Sequence, residues 1–242
     1  MGSLPTKNGT SKTATRGALF ILNAEGQLVE TLANQLINGP WDLATVADGT
    51  QATVFFTNVL NGTVKAKEKV VHGGTVVRMV LDDSGTEPKV LSSVVIASGY
   101  PERTDPAALA VGPTGVAVDA TGNVFVADTV GSKIWEIPNA LAMTSSLGEG
   151  AAIATSAQRL AGPLGLTIAP NGDLLTVNAA NGYVVELSPT GSAVDRVQLD
   201  KSVAAKGAVP GSGALFGLVA APNGGGLYFV DDATNKLDLL GP

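Results

Sequence analysis

Residues 112–136 read GPTGVAVDATGNVFVADTVGSKIWE, and this stretch decides the fold. A Gly-Pro pair opens it, followed by a short apolar run over 115–119 and a turn at Ala120-Thr121-Gly122-Asn123. A second apolar run (124–128), a polar hairpin and a third run (133–137) complete the phrase. Five-residue runs rich in Val, Ile and aromatic side chains, bounded by Gly, Asn and Asp, are strands joined by tight turns.

Working outward, the phrase recurs. Downstream, Gly162-Pro163 precedes strands expected at 165–169, 173–178, 183–188 and 193–200, and a last unit supplies 217–221, 226–231 and 236–240. Upstream, Gly39-Pro40 precedes 42–47, 53–58, 75–82 and 89–98, and before it the pair 19–23 and 28–32 flanks Ala24-Glu25-Gly26-Gln27. The central unit gains an outer strand near 153–160, with one helical turn at 138–143. Gly115 to Gly165 is 50 residues and Gly165 to Gly217 is 52, the spacing of propeller blades. Asn58, Asp128, Asn178 and Asp231 each end a second strand, and Val64, Ile134, Val184 and Leu237 follow six positions later. By that spacing 63–70 competes with 75–82 as the third strand of the first unit; the denser β-branched content favours 75–82.

Composition narrows the function classes. In 242 residues, 45% are hydrophobic and 15% charged, enough apolar side chain for a sizeable core. A net charge of −6 argues against a general nucleic-acid or anionic-membrane binder, which needs a basic footprint. There is no cysteine and a single histidine, His72, so thiolate metal sites, disulfides and a Cys nucleophile are excluded. No apolar run has the length of a spanning helix. Residues 1–16 form a polar tail without the apolar centre of a signal peptide, and 17–242 are expected to form the repeat domain.

The phrase GPTGVAVDATGNVFVADTVGSKIWEI resembles the NHL repeat, over about residues 17–242. The longer RTDPAALAVGPTGVAVD is similar to a group of usually exported bacterial propeller proteins. The resemblance implies an all-β propeller of four-stranded antiparallel blades in an extracytoplasmic (periplasmic or secreted) setting. NHL-type relatives usually form six-bladed rings; this chain holds about four blades plus a partial one, either an incomplete ring by that standard or a small ring in which the pair 19–23 and 28–32 supplies the outer strand that the last unit lacks. A more distant likeness is to gluconolactonase- and streptogramin-lyase-type propellers.

Two residue sets bear on function. Asn58, Asp128, Asn178 and Asp231 are weak candidates for a calcium site, since Ca²⁺ takes carboxylate and amide oxygens. Equally, Asn and Asp at strand ends cap turns through their own backbone, and recurrence in every unit favours that role. In gluconolactonase-like propellers the position after the Gly-Pro turn often carries a metal-binding Asn or Asp; here Trp41, Thr114, Leu164 and Phe216 stand there. None suits a hard cation, and they read as an apolar channel rim or plug. The lone His72 falls in an insertion rather than at the channel, against a lyase-type mechanism.

The insertions 63–74 and 99–111 fall on one face if the blades follow ordinary propeller geometry. They bring Lys65, Lys67, Lys69, His72, Glu102, Arg103 and Asp105 together, beside Trp41 and Phe216. Loops on a rigid scaffold are where function concentrates. The expectation is a non-catalytic binding or scaffold propeller that presents this face to a protein or small ligand, with no cofactor. A calcium-dependent lactonase or lyase is the first alternative. The second is a homo-oligomeric structural subunit that assembles through open blade edges.

Overall fold

The computed structural model describes residues 1–85 and 87–241. It is all-β, with four antiparallel sheets arranged as a four-bladed β-propeller and a two-stranded sheet at the N-terminal end. The two-stranded sheet is β1 (Leu19–Leu22) and β2 (Leu28–Leu32). Blade one comprises β3 (Pro40–Asp48), β4 (Gln51–Asn58), β5 (Val71–Asp82), β6 (Lys89–Asp105) and β7 (Leu109–Val111). Blade two is β8 (Pro113–Val118), β9 (Val124–Asp128), β10 (Lys133–Ile137) and β11 (Ala151–Ala154). Blade three is β12 (Pro163–Ile168), β13 (Leu174–Asn178), β14 (Tyr183–Leu187) and β15 (Ala193–Gln198). Blade four has three strands, β16 (Leu215–Ala220), β17 (Leu227–Asp231) and β18 (Lys236–Leu240).

Local chemistry fixes the strands. In blade two, Asp119 Oδ1 accepts the N–H groups of Thr121 and Asn123 and the Thr121 hydroxyl at 2.8–2.9 Å. Gly122 supplies the positive φ of 86° that closes the turn. Strand β9 is buried at all five positions, because a blade inside the array has a neighbour on both faces. Val116, Val124, Val126, Trp135 and Ile137 pack on Phe55, Val76, Ile96 and Tyr100 of blade one. From the opposite face, Ala117, Phe125 and Ile134 meet Leu166, Leu174, Val185 and Leu187 of blade three. Blade three then offers Leu164, Val177 and Val184 to Leu215, Leu227 and Phe229 of blade four.

The inner strands touch where the repeat carries glycine. A Cβ on Gly115 would lie 2.6 Å from the Leu164 carbonyl oxygen and the Leu166 nitrogen. One on Gly165 would lie 2.7 Å from the Phe216 oxygen.

Three expectations are corrected. Residues 99–111 are not a loop: β6 runs on to Asp105 and turns back into β7, with Arg103 opposite Val111. The insertion at 63–74 is shorter, since its last four residues belong to β5 and only a one-turn helix α1 (Thr63–Ala66) interrupts the hairpin. The β1–β2 pair does not complete blade four. Leu19, Ile21 and Leu32 pack instead on Val54, Phe56, Val77 and Met79 of blade one. The first residues of the polar N-terminal segment lie against this pair, with Gly2 bridging to Leu19 and the N–H of Phe20 donating to the Met1 carbonyl at 2.7 Å, whereas Ala14 is buried with Val59, Leu60 and Ala110 of blade one.

Candidate functional site

The site is built on the inner strands and the connections that leave them. Trp41, Leu164 and Phe216 surround a small cavity of about 130 Å³ near the axis; Thr114, the fourth residue at this repeat position, is fully buried. To one side runs a channel of about 440 Å³ between β3, β8, β12 and β16, reached by Asp42, Thr45 and Thr167. To the other lies an open pocket of about 440 Å³ with Leu164, Phe216 and Val111 as apolar floor and Arg103, Asp105 and Ser132 among its polar groups. The Trp41, Leu164 and Phe216 side chains thus form a constriction between channel and pocket.

Arg103 is held at the pocket by Asp105. Its Nη1 donates to Asp105 Oδ2 at 2.8 Å and to the Thr104 carbonyl at 3.2 Å, both from the same end of the guanidinium. Burial pushes the Asp105 carboxyl up, but the N–H groups of Ala108 and Ala107 and the Arg103 guanidinium outweigh it and hold it below its ordinary value. The ion pair is therefore fixed by the hairpin that sequence reading treated as a loop.

Helix α1 and the N-terminal segment sit on this end of the propeller. Val64, Ala14, Leu4 and Ala110 share an apolar cluster with Trp41. Lys65, Lys67 and Lys69 are exposed, and Lys12 lies 3.8 Å from Glu68. His72 is exposed as well, with Nδ1 3.2 Å from the Gly99 carbonyl. Of the expected partner-face residues, Arg103, Asp105 and Phe216 line one pocket, and Trp41 meets Phe216 in the small cavity beside it. Lys65, Lys67 and Lys69 stay on the surface and do not line the pocket.

Glu102 does not join that face. Its side chain is completely buried, with Oε1 accepting the Asn61 N–H at 2.8 Å and Oε2 without a partner. Burial pushes its carboxyl up to about 8, against the Asn61 hydrogen bond. Neighbouring residues of a strand point to opposite faces, so Arg103 turns outward where Glu102 turns in.

Asp128 and Asp231 cap their own turns, as the repeat suggests, whereas Asn58 and Asn178 reach backbone 20 and 17 residues upstream, on the segment that leads into each blade. Asn58 Oδ1 accepts the Asn38 N–H at 2.7 Å, and Asn178 Oδ1 accepts the Ala161 N–H at 2.9 Å. Asp128 takes the Gly131 N–H at 2.7 Å and the Trp135 indole N–H at 3.3 Å; Asp231 takes the Thr234 N–H at 3.2 Å. Among the described residues no three His, Cys, Asp or Glu side chains gather as a metal ion requires. The donor set does not fit calcium, which needs six to eight converging oxygens.

Sequence reading missed Asp42. In blade one the segment Pro40-Trp41-Asp42 stands where later units have Pro113-Thr114-Gly115 and Pro163-Leu164-Gly165, so a carboxylate replaces the repeat's glycine. That break in the pattern was the available signal. The carboxylate accepts the N–H groups of Leu43 at 2.8 Å and Val116 at 2.9 Å. Burial nevertheless pushes it up to about 6.

No family model and no curated protein sequence matches the chain. Solved structures resemble it in fold. A luciferin-regenerating enzyme is 15% identical, with a TM-score of 0.52 over 97% of this chain and 70% of its own. A Xanthomonas campestris gluconolactonase is 17% identical, with a TM-score of 0.50 over 92% and 63%. A Bacteroides caccae protein of unknown function is 18% identical, with a TM-score of 0.51 over 89% and 65%. The chain thus has a distant structural likeness to gluconolactonase-type propellers and spans 63–70% of these three. At such identity the likeness extends to the fold alone.

Proposed function

We propose that the protein is an NHL-like binding propeller, extracytoplasmic in setting, whose mouth pocket takes an anionic ligand with an apolar body. The observation that carries this is the Arg103 guanidinium, braced by Asp105 above a floor of Leu164, Val111 and Phe216. Concave apolar sites with a few fixed polar groups are the usual small-ligand sites, and an arginine fork suits a carboxylate or phosphate. Lys65 of α1, with Lys67 and Lys69 just after it, adds exposed positive charge at this end of a chain of net charge −6, which favours an anion here.

Isothermal titration with benzoate, indole-3-acetate and octanoate tests the proposal. At least one should bind saturably, and Arg103→Gln should weaken that binding tenfold or more. Absence of saturable binding, or binding indifferent to Arg103, refutes it.

A second reading, a lactonase-type enzyme, is favoured by Asp42 alone, a carboxylate reaching the channel. It predicts lactone hydrolysis that Asp42→Asn abolishes with the fold intact.

A further inference from the structure

The hairpin after each second strand needs a residue in the left-handed region, and blade two fills that place unlike the others. Four positions after Asn58, Asn178 and Asp231 stand Gly62, Gly182 and Asn235, residue types that take a positive φ with least strain. Four positions after Asp128 stands Ser132, with a φ of 50°. Strain of this kind collects where a side chain is used, and Ser132 lines the mouth pocket together with Arg103. Its Oγ accepts the Gly162 N–H at 3.0 Å. That contact occupies a lone pair and leaves the hydroxyl proton to be donated.

The acceptors around the pocket are already engaged within the protein. Asp105 Oδ1 takes the N–H groups of Ala107 and Ala108 at 2.9 and 3.1 Å, and Oδ2 takes Arg103. The carbonyls of Ala108, Gly162 and Ala179 accept the N–H groups of Ala110, Ala179 and Gly213 at 2.8, 2.9 and 2.7 Å. The Thr129 hydroxyl turns inward, donating to the Pro163 carbonyl at 2.7 Å. Donors are what the wall has left. The Asp105 and Thr104 contacts both use Nη1 of Arg103, so the Nε and Nη2 edge of the guanidinium is clear of them. Ser132 keeps its proton, and Ser212 stands half-buried on the same wall.

We infer that the mouth pocket selects an anion carrying a second oxygen acceptor at its far end, a dicarboxylate in the simplest form, and that Ser132 is the residue that reads the second group. The inference rests on the binding function proposed above and narrows its ligand. One carboxylate docks on Arg103, an apolar middle lies on Val111, Leu164 and Phe216, and the far oxygen takes the Ser132 proton. A hydrogen bond to an ionised acceptor is stronger than one between neutral groups. Amines and polyols would bring donors of their own to a wall whose acceptors are engaged.

Titration calorimetry with matched acids tests this: benzoate and terephthalate, hexanoate and adipate, octanoate and suberate, with 6-aminohexanoate as the counterpart that carries donors. At least one diacid should bind about fivefold or more tighter than its monoacid, and 6-aminohexanoate should bind more weakly than hexanoate. Ser132→Ala should erase the diacid's advantage and leave monoacid affinity within about twofold, whereas Arg103→Gln should weaken both. Ser132→Gly, the residue that two other blades carry here, should behave as Ser132→Ala does and removes any effect of a strained backbone. Monoacid binding with no diacid preference would overturn the inference and leave the binding function standing. That function fails separately, if no monoacid binds saturably. A diacid preference that survives both Ser132 variants would also overturn the inference. So would an equal loss for monoacid and diacid, which would show Ser132 merely supporting Gly162.

Discussion

The Asp42 carboxylate crosses from blade one to blade two: its Oδ2 accepts the N–H of Val116, 74 residues along the chain, at 2.9 Å. Elsewhere the inner strands meet through glycine, backbone on backbone. Between β3 and β8 a side chain makes the link, and the Thr57 hydroxyl adds a second by donating to the Thr114 carbonyl at 2.7 Å. The first junction of the propeller is thus titratable, whereas the next two are bridged by the hydroxyls of Thr129 and Thr167.

Titration of Asp42 should therefore be visible in stability. Its folded value, raised to about 6, lies above that of an unfolded aspartate, so the folded state holds the proton more tightly. Its contribution is complete below about pH 4 and declines as pH rises through about 6. Asp42→Asn keeps an acceptor for Val116 and cannot ionise. Melting temperature plotted against pH should flatten between 4 and 6 in the variant, with stability at pH 7 equal to or above that of wild type.

Glycine substitutions should separate inner junctions from the open end. Gly165→Ala forces a methyl to within 2.7 Å of the Phe216 oxygen, and backbone must move to admit it. A loss of more than about 2 kcal/mol is expected, in the upper range for a single overpacked position. Gly217→Ala, where the added methyl meets only Val230 Cγ2 at 4.0 Å, should cost less than about 1 kcal/mol. Urea unfolding of the two gives the comparison directly.

Strand positions were legible because punctuation and pattern agree: β2, β9, β10 and β18 coincide with the apolar runs that Gly, Asn and Asp delimit. What the repeat does not encode was harder to read. Residues 99–111 contain Gly, Pro and three charged side chains, all signs of a loop, yet tertiary pairing with Val71 and Gly74 on one side and β7 on the other keeps them extended. Arg103 and Asp105 were legible as charged residues of one face, and their direct pairing at 2.8 Å follows from the β6–β7 hairpin that the loop reading hid. Glu102 was misplaced because exposure is the ordinary state of a glutamate, and only the packing of Gly73 and Gly112 around it hides it. Asp42 follows the conspicuous Trp41, and only the absence of the repeat's glycine at its position marks it.

The repeated Asn and Asp residues should behave as ties to backbone rather than as metal ligands. Asn178 accepts from Ala161 and donates to the Arg159 carbonyl, each at 2.9 Å, and it is fully buried. Removing the amide leaves both backbone groups without partners, at a cost of about 1–3 kcal/mol. Asn178→Ala should lower the melting temperature by several degrees, while millimolar calcium should leave wild type and variant unshifted. A calcium-dependent rise that the variant loses would assign the residue to a metal instead, because an ion bound only by the folded state must stabilise it.

Glu102 should dominate stability at the alkaline end. Its folded value of about 8 stands well above an unfolded glutamate, so its contribution is present below about pH 4.5 and is lost as pH climbs through 8. Asp42 has finished titrating by then, which leaves the interval from pH 6.5 to 8.5 to Glu102. Two features set the size of the effect: the carboxyl is inaccessible to solvent, and neither its Oε2 nor the nearby Asn61 Nδ2 has a partner to favour a charge there. Ionisation in such a place costs roughly 2–4 kcal/mol. Glu102→Gln preserves the acceptor for the Asn61 N–H and stays neutral, so its unfolding free energy in urea should be level across the interval while that of wild type falls. A wild-type curve as flat as the variant's would mean that the hairpin around Asn61 and α1 opens to admit water before the proton leaves.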